Sequence, residues 1–316
     1  MPNMTNLPQP RIQDLTIGCN VAGNYILKTA HTRICRTGDP FLCGYLSDVS
    51  GDVNFILFGY TGSISEADAG KVVWMDGLVK DYQGTKQVHL NKLSLPEDGA
   101  VSNLDSLVPY APMDMCTAQS IIYSHMNHYL RDPDYRKLCT ELLSDVSPQF
   151  WTCPAAMTVH HAYIGGLAMH TANMMTVAGK LINHYSSFYN IDSSLLMAGT
   201  LFHDLGKLWE FQRSDLGLVI AYSAESQGKN HSIIGAEEME KKAAALNLPS
   251  DKVEKLKHLI LSHHGSLNLG APELPQCVEA ELLSLIDSID TKLEIYQSSK
   301  IIVSSSLEKS MPFPAA

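Results

Sequence analysis

The pattern of apolar and polar residues divides the chain into two parts with different secondary structure. Between residues 12 and 95, short apolar runs alternate with turn-forming segments rich in Gly, Asp, Ser and Pro, a pattern typical of β-strands. The runs lie at residues 25–28, 41–46, 55–58, 72–79 and 87–90. Five strands within about 85 residues match the size of a small closed barrel, which we predict for this part of the chain.

From residue 113 onward, apolar residues recur every three or four positions, as in helices that bury one face. Residues 96–112 contain Pro96, Pro109 and Pro112 without a clear period, and we interpret them as a linker. The last residues are predicted to form a tail. The expected organisation is a barrel at 12–95, a linker at 96–112, an all-helical domain at 113–300 and a tail at 301–316.

Composition places the chain among globular proteins. Of its 316 residues, 45% are hydrophobic and 18% are charged, which is enough apolar material for two packed domains. The seven cysteines are dispersed and form no C-x-x-C pair, a pattern typical of reduced thiols in the cytoplasm. The sequence shows neither a bilayer-spanning apolar run nor a secretory signal. We therefore expect a cytoplasmic protein without a membrane partner.

Charge and histidine content give opposite indications about function. The formal net charge is −10, from 23 Lys and Arg against 33 Asp and Glu, and this argues against a general nucleic-acid binder because phosphates require local positive charge. Eleven of the thirteen histidines follow residue 100. Histidines and carboxylates concentrated in one region are what a metal site requires.

Histidines and aspartates lie on or next to the apolar faces of the predicted helices. Gly206 and Gly265 are predicted to end two of these helices. The positions in chain order are His170, the pair His203 and Asp204, His231, the pair His263 and His264, Asp287 and Asp290.

Each of these histidines, taken alone, is more simply explained as a core residue bonded to a backbone carbonyl. Taken together, the positions would make a poor core, because buried carboxylates are costly unless they are paired or bound to metal. Mixed imidazole and carboxylate donors suit Mn²⁺, Fe²⁺, Co²⁺, Ni²⁺ or Zn²⁺. The absence of cysteine from the set argues against a structural zinc site. The sequence therefore predicts a transition-metal site.

The ordered set resembles the HD-domain metallophosphohydrolase superfamily, whose signature is the string His-Asp-Leu-Gly-Lys at residues 203–207. Three further segments, GGLAMHT at 165–171, LILSHHG at 259–265 and EAELL at 279–283, narrow the resemblance to the YhaM-type 3′-5′ exoribonuclease family. In that family an OB-fold barrel precedes the HD domain. The resemblance covers about residues 12–298 and implies an OB-fold-like five-stranded barrel followed by an all-α HD-domain helical bundle.

The resemblance also implies a site with two divalent ions, with Mn²⁺ expected first and Co²⁺, Fe²⁺ or Ni²⁺ as alternatives. Asp204 would bridge the ions, which would polarise a phosphodiester and acidify a water. His264 would replace His263 as a ligand or contact phosphate. Lys207 would be a cation beside the scissile phosphate, and Asp290 would orient a ligand imidazole. The implied ligands are His170, His203, Asp204 and Asp287 for one ion, and Asp204, His231 and His263 for the other.

Two further histidines, His160 and His161, precede the first of these helices. They are either capping residues of a loop or contacts for phosphate or substrate.

The barrel would hold a nucleic-acid strand. OB folds bind single strands by stacking bases on aromatic side chains, worth about 1–3 kcal/mol per base, and by a basic groove. For most aromatic residues of the barrel the alternative is a place in its core. The candidate contacts are Arg33, Arg36, Phe41, Phe58 and Lys86.

The function implied by the resemblance is a metal-dependent 3′-5′ exoribonuclease. It would release nucleoside 5′-monophosphates from single-stranded RNA, with DNA as an alternative substrate. Two other functions stay open: an HD phosphohydrolase of small nucleotides, and a non-catalytic single-strand-binding module whose helical bundle is a scaffold. A homo-oligomer is compatible with the resemblance, although the sequence shows no obvious coiled-coil seam.

Overall fold

The computed structural model describes residues 9–96, 104–157, 161–226 and 228–307. The chain divides into two compact units, Met1–Pro109 with Arg213–Ile220, and Tyr110–Gln212 with Ala221–Ala316. The division at residue 109 lies inside the segment 96–112, of which residues 97–103 lie outside the described residues. The four domain boundaries expected from the sequence stay predictions.

The first unit is a closed five-stranded barrel, as predicted. Its strands lie in the order β1-β2-β3-β5-β4 around the barrel, with β4 paired to β1. All neighbouring pairs are antiparallel except β3 and β5, which are parallel. This is the strand order of an OB-fold. The strands are β1 (Asn20–Ile34), β2 (Pro40–Asp48), β3 (Gly51–Phe58), β4 (Val72–Tyr82) and β5 (Thr85–Ser94).

Alternation along each strand separates the inside of the barrel from its outer surface. On β2, Leu42 and Leu46 are buried in the core, whereas Phe41 and Tyr45 lie on the outside. Tyr25 is fully buried, and its hydroxyl donates a hydrogen bond to the Pro10 carbonyl at 2.6 Å. The core is therefore apolar, and this buried hydroxyl has a partner.

The contact between β1 and β2 leaves no room for a side chain at Gly44. The pairing of the two strands shifts register between Leu27 and Thr29, as at a β-bulge. A β-carbon at Gly44 would lie 2.0 Å from the Thr29 carbonyl oxygen. Close approach of the two backbones at this point therefore requires glycine.

The second unit is helical, apart from the base of a short hairpin of β6 (Phe211–Arg213) and β7 (Val219–Tyr222), of which residues Arg213–Ile220 belong to the first unit. One helix, α5, is buried on all sides, as expected for the centre of a bundle. The helices are α1 (Met115–Tyr129), α2 (Pro133–Val146), α3 (Gln149–Thr152), α4 (Gly166–Tyr185), α5 (Ser193–Phe202), α6 (Lys207–Glu210), α7 (His231–Ala245), α8 (Ser250–Ser262) and α9 (Val278–Leu307).

Acidic and amide side chains fix where several of these helices begin. Asp132 accepts hydrogen bonds from the first backbone amides of α2, and Asp192 does the same for α5. Asn230 caps α7 by accepting from the Ile233 amide. Such caps satisfy amides that have no partner within the helix. The cap at Asn230 fixes the end of α7 that carries His231.

The last helix, α9, continues to Leu307. Neither Gly nor Pro occurs between residues 298 and 307 to end it earlier. The boundary of a tail at residue 301 stays a prediction. Residues 308–316 lie outside the described residues. No helix in the described part of the chain is long and apolar enough to cross a membrane.

The close approach at Gly44 predicts a local effect of substitution. In Gly44→Ala, the added methyl group must push β1 and β2 apart, and overpacking of this kind costs about 1–3 kcal/mol. Hydrogen exchange measured by mass spectrometry should show faster exchange of the β1 and β2 amides, with the helices of the second unit unchanged. Thr32→Ala, at an exposed position on β1, is the control. Equal exchange in the two variants would contradict the steric explanation.

Candidate metal centre and nucleic-acid surface

The predicted His and Asp residues converge in the second unit, where the ends of three helices meet the faces of two others. His203 directly follows α5, and His263 directly follows α8. His231 is the first residue of α7. His170 lies within α4, and Asp287 lies on α9. Residues far apart in the sequence therefore surround one point, the carboxylate of Asp204.

The two carboxylate oxygens of Asp204 face different groups of imidazoles. Its Oδ2 lies 3.4 Å from Nε2 of His203 and 3.7 Å from Nε2 of His170. Its Oδ1 lies 3.3 Å from Nε2 of His231 and 3.8 Å from Nε2 of His263. One buried carboxylate thus joins two clusters of donor atoms.

The first cluster consists of His170, His203, Asp204 and Asp287. Nε2 of His170 lies 3.2 Å from Nε2 of His203 and 3.4 Å from Oδ1 of Asp287. Nδ1 of His203 lies 2.9 Å from the Thr200 carbonyl oxygen, to which it donates its proton. Nε2 of the neutral ring is then an acceptor that faces the cluster.

The second cluster consists of Asp204, His231, His263 and His264. Nε2 of His231 lies 3.0 Å from Nε2 of His264. Nδ1 of His263 donates to the Ile260 carbonyl at 2.7 Å, so its Nε2 carries the free lone pair. This Nε2 is buried and has no hydrogen-bond partner among the described residues. A buried acceptor without a donor is what a bound cation would satisfy.

The ring nitrogen of His170 that points away from the cluster has its own partner. This nitrogen, Nδ1, lies 2.7 Å from Oδ2 of Asp290, which also lies 2.9 Å from Nε2 of His161. Nδ1 of His161 in turn lies 2.8 Å from the Tyr163 hydroxyl. His161 is only 1% exposed, so it supports Asp290 rather than capping a loop or facing solvent. His160 lies outside the described residues.

Glu210 plays the corresponding part for His231, although no sequence pattern identifies it. One of its carboxylate oxygens accepts the His231 backbone amide at 2.9 Å, and the other lies 3.4 Å from Nδ1 of the ring. Glu210 is buried at the end of the four-residue helix α6. Such a short helix has no periodic pattern from which an inward glutamate could be predicted.

Lys207 reaches into the same site. Its Nζ donates to Oδ2 of Asp204 at 2.6 Å, and both side chains are buried. Burial alone would raise the pKa of Asp204, but the ammonium charge of Lys207 and the contact with the His203 ring hold that pKa well below its usual range. The carboxylate is therefore ionised at neutral pH.

The two clusters differ in how they hold protons. Burial would lower the pKa of His170, but hydrogen bonds to Asp287 and Asp290 outweigh it and raise the pKa to about 9. In the second cluster, burial and neighbouring imidazoles lower the pKa of His263 well below its usual value, and lower that of His264 in the same direction. At neutral pH His263 and His264 are thus neutral imidazoles, the form that binds metal.

Gly206 has a different role from the predicted one. Helix α5 already ends at Phe202, and Gly206 has an ordinary right-handed backbone, so it does not terminate the helix. A β-carbon at Gly206 would instead lie 1.9 Å from the His231 carbonyl oxygen. The absence of a side chain at Gly206 lets the start of α7 approach Asp204. Gly265, by contrast, has a φ of +75° just beyond α8, as expected at a helix end.

Three of the barrel residues proposed to contact nucleic acid form a row on its outer surface. Phe41 on β2 is paired with Arg33 on β1 and with Phe58 on β3. The ring centroids of Phe41 and Phe58 lie 5.9 Å apart, and Phe58 is 56% exposed. Arg36 is exposed in the turn that joins β1 to β2. A partly exposed aromatic pair beside Arg33, with Arg36 in the adjoining turn, is suited to stacking and phosphate contacts.

Lys86 does not lie in this row. It precedes Gln87, which pairs with Asn54, so it lies near the opposite end of β3 from Phe58. There its Nζ donates to the Gln13 carbonyl at 3.2 Å, and it lines a cavity of about 460 Å³ together with exposed Tyr45. The alternation along β2 would have identified Tyr45 as an outward aromatic.

His89 was also missed. Its ring centroid lies 6.1 Å from that of Phe58, on the adjacent strand β5. The sequence around a lone histidine in a strand does not reveal which residues lie beside it on the next strand, because local sequence does not determine strand order in a barrel.

Comparison with known proteins assigns the two units. Residues 167–292 match the HD domain family, and this range contains all the donor residues of both clusters. HD domains form a superfamily of metal-dependent hydrolases, and the helical unit is similar to that class over the matched residues. The chain therefore combines a barrel of OB-fold strand order with a helical unit that contains an HD domain.

Three solved structures illustrate the likeness of the chain to known folds. The second OB-fold domain of replication protein A from Methanococcus maripaludis is 14% identical, covers 29% of this chain and 98% of that chain, and has a TM-score of 0.25. An OB domain from Thermoplasma acidophilum is 15% identical, with 30% and 92% coverage and a TM-score of 0.23. Aspartyl tRNA synthetase from Entamoeba histolytica is 12% identical, with 58% and 38% coverage and a TM-score of 0.24.

The contact between Asp290 and His170 predicts a change in proton affinity. A carboxylate stabilises the protonated imidazole, so Asp290→Asn should lower the pKa of His170 from about 9 by about 1–3 units. NMR titration of the histidine ring protons in chelator-treated protein measures this shift. Ser288→Ala, on the same helix, should leave the titration unchanged. An unaltered His170 pKa in Asp290→Asn would show that this contact does not hold the ring.

Proposed function

We propose that the chain is a metal-dependent 3′-5′ exoribonuclease that converts single-stranded RNA to nucleoside 5′-monophosphates. The observation that carries the proposal is the position of Asp204, whose two oxygens face two separate groups of imidazole nitrogens. A carboxylate placed in this way suits a centre with two divalent ions, the arrangement used for in-line displacement at phosphorus.

The residues present fit such a centre. The first cluster would hold one ion and the second cluster the other, with Asp204 shared. Nε2 of buried His263, which has no hydrogen-bond partner among the described residues, supports an ion in the second cluster. His264 offers another imidazole to the same cluster. Nitrogen and carboxylate donors suit Mn²⁺ as well as Co²⁺, Fe²⁺ or Ni²⁺. Bound ions would supply polarisation of the phosphodiester and a water acidic enough to attack at neutral pH.

The chain's own residues prepare the site for this chemistry. Asp290 and Glu210 face Nδ1 of His170 and His231, which orients the opposite nitrogen toward Asp204. Such partners fix the ring orientation and raise the basicity of the ligand nitrogen. Lys207 adds a buried cation that can stabilise negative charge on phosphoryl oxygens.

The barrel would hold the strand. Phe41 and Phe58 would stack on bases, while Arg33 and Arg36 would contact phosphates. Lys86, near the other end of β3, would contact the strand further along. The direction of degradation and the preference for RNA rest on the resemblance of the HD segments to the YhaM-type family.

The decisive experiment follows the products from end-labelled oligonucleotides incubated with the purified chain and a series of divalent metals. A 5′-labelled RNA should shorten progressively from its 3′ end with Mn²⁺, and nucleoside 5′-monophosphates should accumulate. In Asp204→Asn, the metal content and the rate should fall together. The rate should fall by more than about 100-fold, since the loss of outer partners alone costs about 10–100-fold.

Two controls make this experiment specific. Glu254→Gln removes an exposed carboxylate from α8 and should keep both metal content and rate. Hydrolysis of mononucleotides without shortening of strands would instead favour a phosphohydrolase of small nucleotides. Strand binding without hydrolysis, with less than one metal per chain after metal-replete preparation, would favour a non-catalytic binding module.

The barrel surface can be tested separately from the metal centre. Phe58→Ala removes one stacking surface, and a loss of about 1–3 kcal/mol corresponds to binding of single-stranded RNA that is about 5- to 150-fold weaker. Fluorescence anisotropy with a labelled strand measures this affinity, while metal content should not change. Phe188→Ala removes an exposed phenylalanine from the other unit and is the matched control. If Phe58→Ala and Phe188→Ala bound RNA with equal affinity, the row that contains Phe58 would be excluded from strand binding.

A further inference from the structure

Helix α9 has two apolar faces, of which only one packs against other described residues. Leu283 and Ile286 are buried on the inner face, which also carries Asp287. On the other face, large apolar side chains are between 48% and 67% exposed. We call this face the outer stripe; its members are Val278, Leu285, Ile289, Leu293 and Tyr296.

The spacing of the outer stripe is that of a helix-pairing surface. Its members are separated by steps of seven, four, four and three residues, which keep them on one side of a helix. The stripe extends over about 27 Å of helix. Single exposed apolar residues are normal on protein surfaces, whereas a continuous apolar patch marks an interaction site.

We propose that the outer stripe pairs with the outer stripe of a second copy of this chain, with the two helices antiparallel about a two-fold axis. Four of its five members are symmetric about position 287, because Val278 and Tyr296 lie nine residues to either side and Leu285 and Ile289 lie two. A two-fold axis at this level therefore places Val278 against Tyr296 of the other copy, and Leu285 against Ile289. An isologous contact requires self-complementarity of this kind.

The charges beside the stripe select the antiparallel direction. Glu281 and Lys292 are both exposed, and they lie eleven residues, or about three turns, apart on the same flank. They lie six residues before and five residues after position 287. In an antiparallel pair, equal flanks face each other, so Glu281 of each copy would meet Lys292 of the other. In a parallel pair this flank would face the opposite flank instead, and the two charges would not meet.

Neither of these charged side chains has an ion pair with another described residue of the chain. Both are therefore free to pair with a second copy. The proposal does not depend on the reaction that the metal centre performs, since it rests only on the outer stripe and its flank.

The association state of the full chain tests the proposal directly. Sedimentation velocity and light scattering over a concentration series should show a dimer for the natural sequence. The double variant Leu285→Glu with Ile289→Glu should be monomeric, because it places four like charges between the two outer stripes. Phe188→Glu changes an exposed apolar residue that is not part of α9 and should remain a dimer. Circular dichroism and metal content show whether each variant is folded.

A charge exchange tests the direction of the helices. Glu281→Lys and Lys292→Glu should each weaken the dimer by about 3- to 30-fold, because each turns two attractive pairs into repulsive ones. The variant that carries both substitutions restores opposite charges and should recover the original dimer constant to within about 3-fold.

A monomer at every concentration would overturn the proposal and would assign the outer stripe to a different partner. A dimer that persists unchanged in the double variant Leu285→Glu with Ile289→Glu would overturn it as well. A dimer that both single exchanges weaken, but that their combination does not restore, would exclude the antiparallel pairing.

Discussion

The burial of the Asp204 carboxylate is the constraint on which the second unit depends. A buried charge without partners costs several kcal/mol, so the surrounding helices must supply compensating groups. They do so from five directions, through the ammonium of Lys207 and the imidazoles of the two clusters. The helix ends are therefore arranged around this carboxylate, and the apolar core of the bundle is built outside them.

Two of the imidazoles are oriented by the same local device. His203 and His263 each directly follow a helix, and each Nδ1 donates to the carbonyl three residues earlier. The last carbonyls of a helix have no partner within it, so they are available to accept this proton. The bond fixes the tautomer and directs Nε2 inward. A histidine placed just after a helix is thus positioned by the helix itself, whereas His170 and His231 need the carboxylates of Asp290 and Glu210.

Local pattern was sufficient to predict the architecture, and it selected the His and Asp residues that the structure brings together. The five apolar runs gave the five barrel strands, because alternation and turns are local properties, and the His and Asp positions were visible on helical periods. Contacts between distant segments were not visible. Glu210, the support of Asp290 by His161, and the separation of Lys86 from Phe58 depend on how helices and strands meet. The same limit explains the wrong role predicted for Gly206. It follows α5 in the sequence, but it makes room for the close approach of α7.

The net charge of −10 misstates the field around these surfaces, because charge acts locally. Asp204 and Asp287 are ionised, yet each faces histidines, and Asp204 also faces Lys207. Cations bound in the two clusters would neutralise these carboxylates further. The exposed arginines Arg33 and Arg36 stand beside aromatic rings on the barrel. A chain with a negative net charge can therefore offer positive charge to a phosphate both at the metal centre and on the aromatic surface of the barrel.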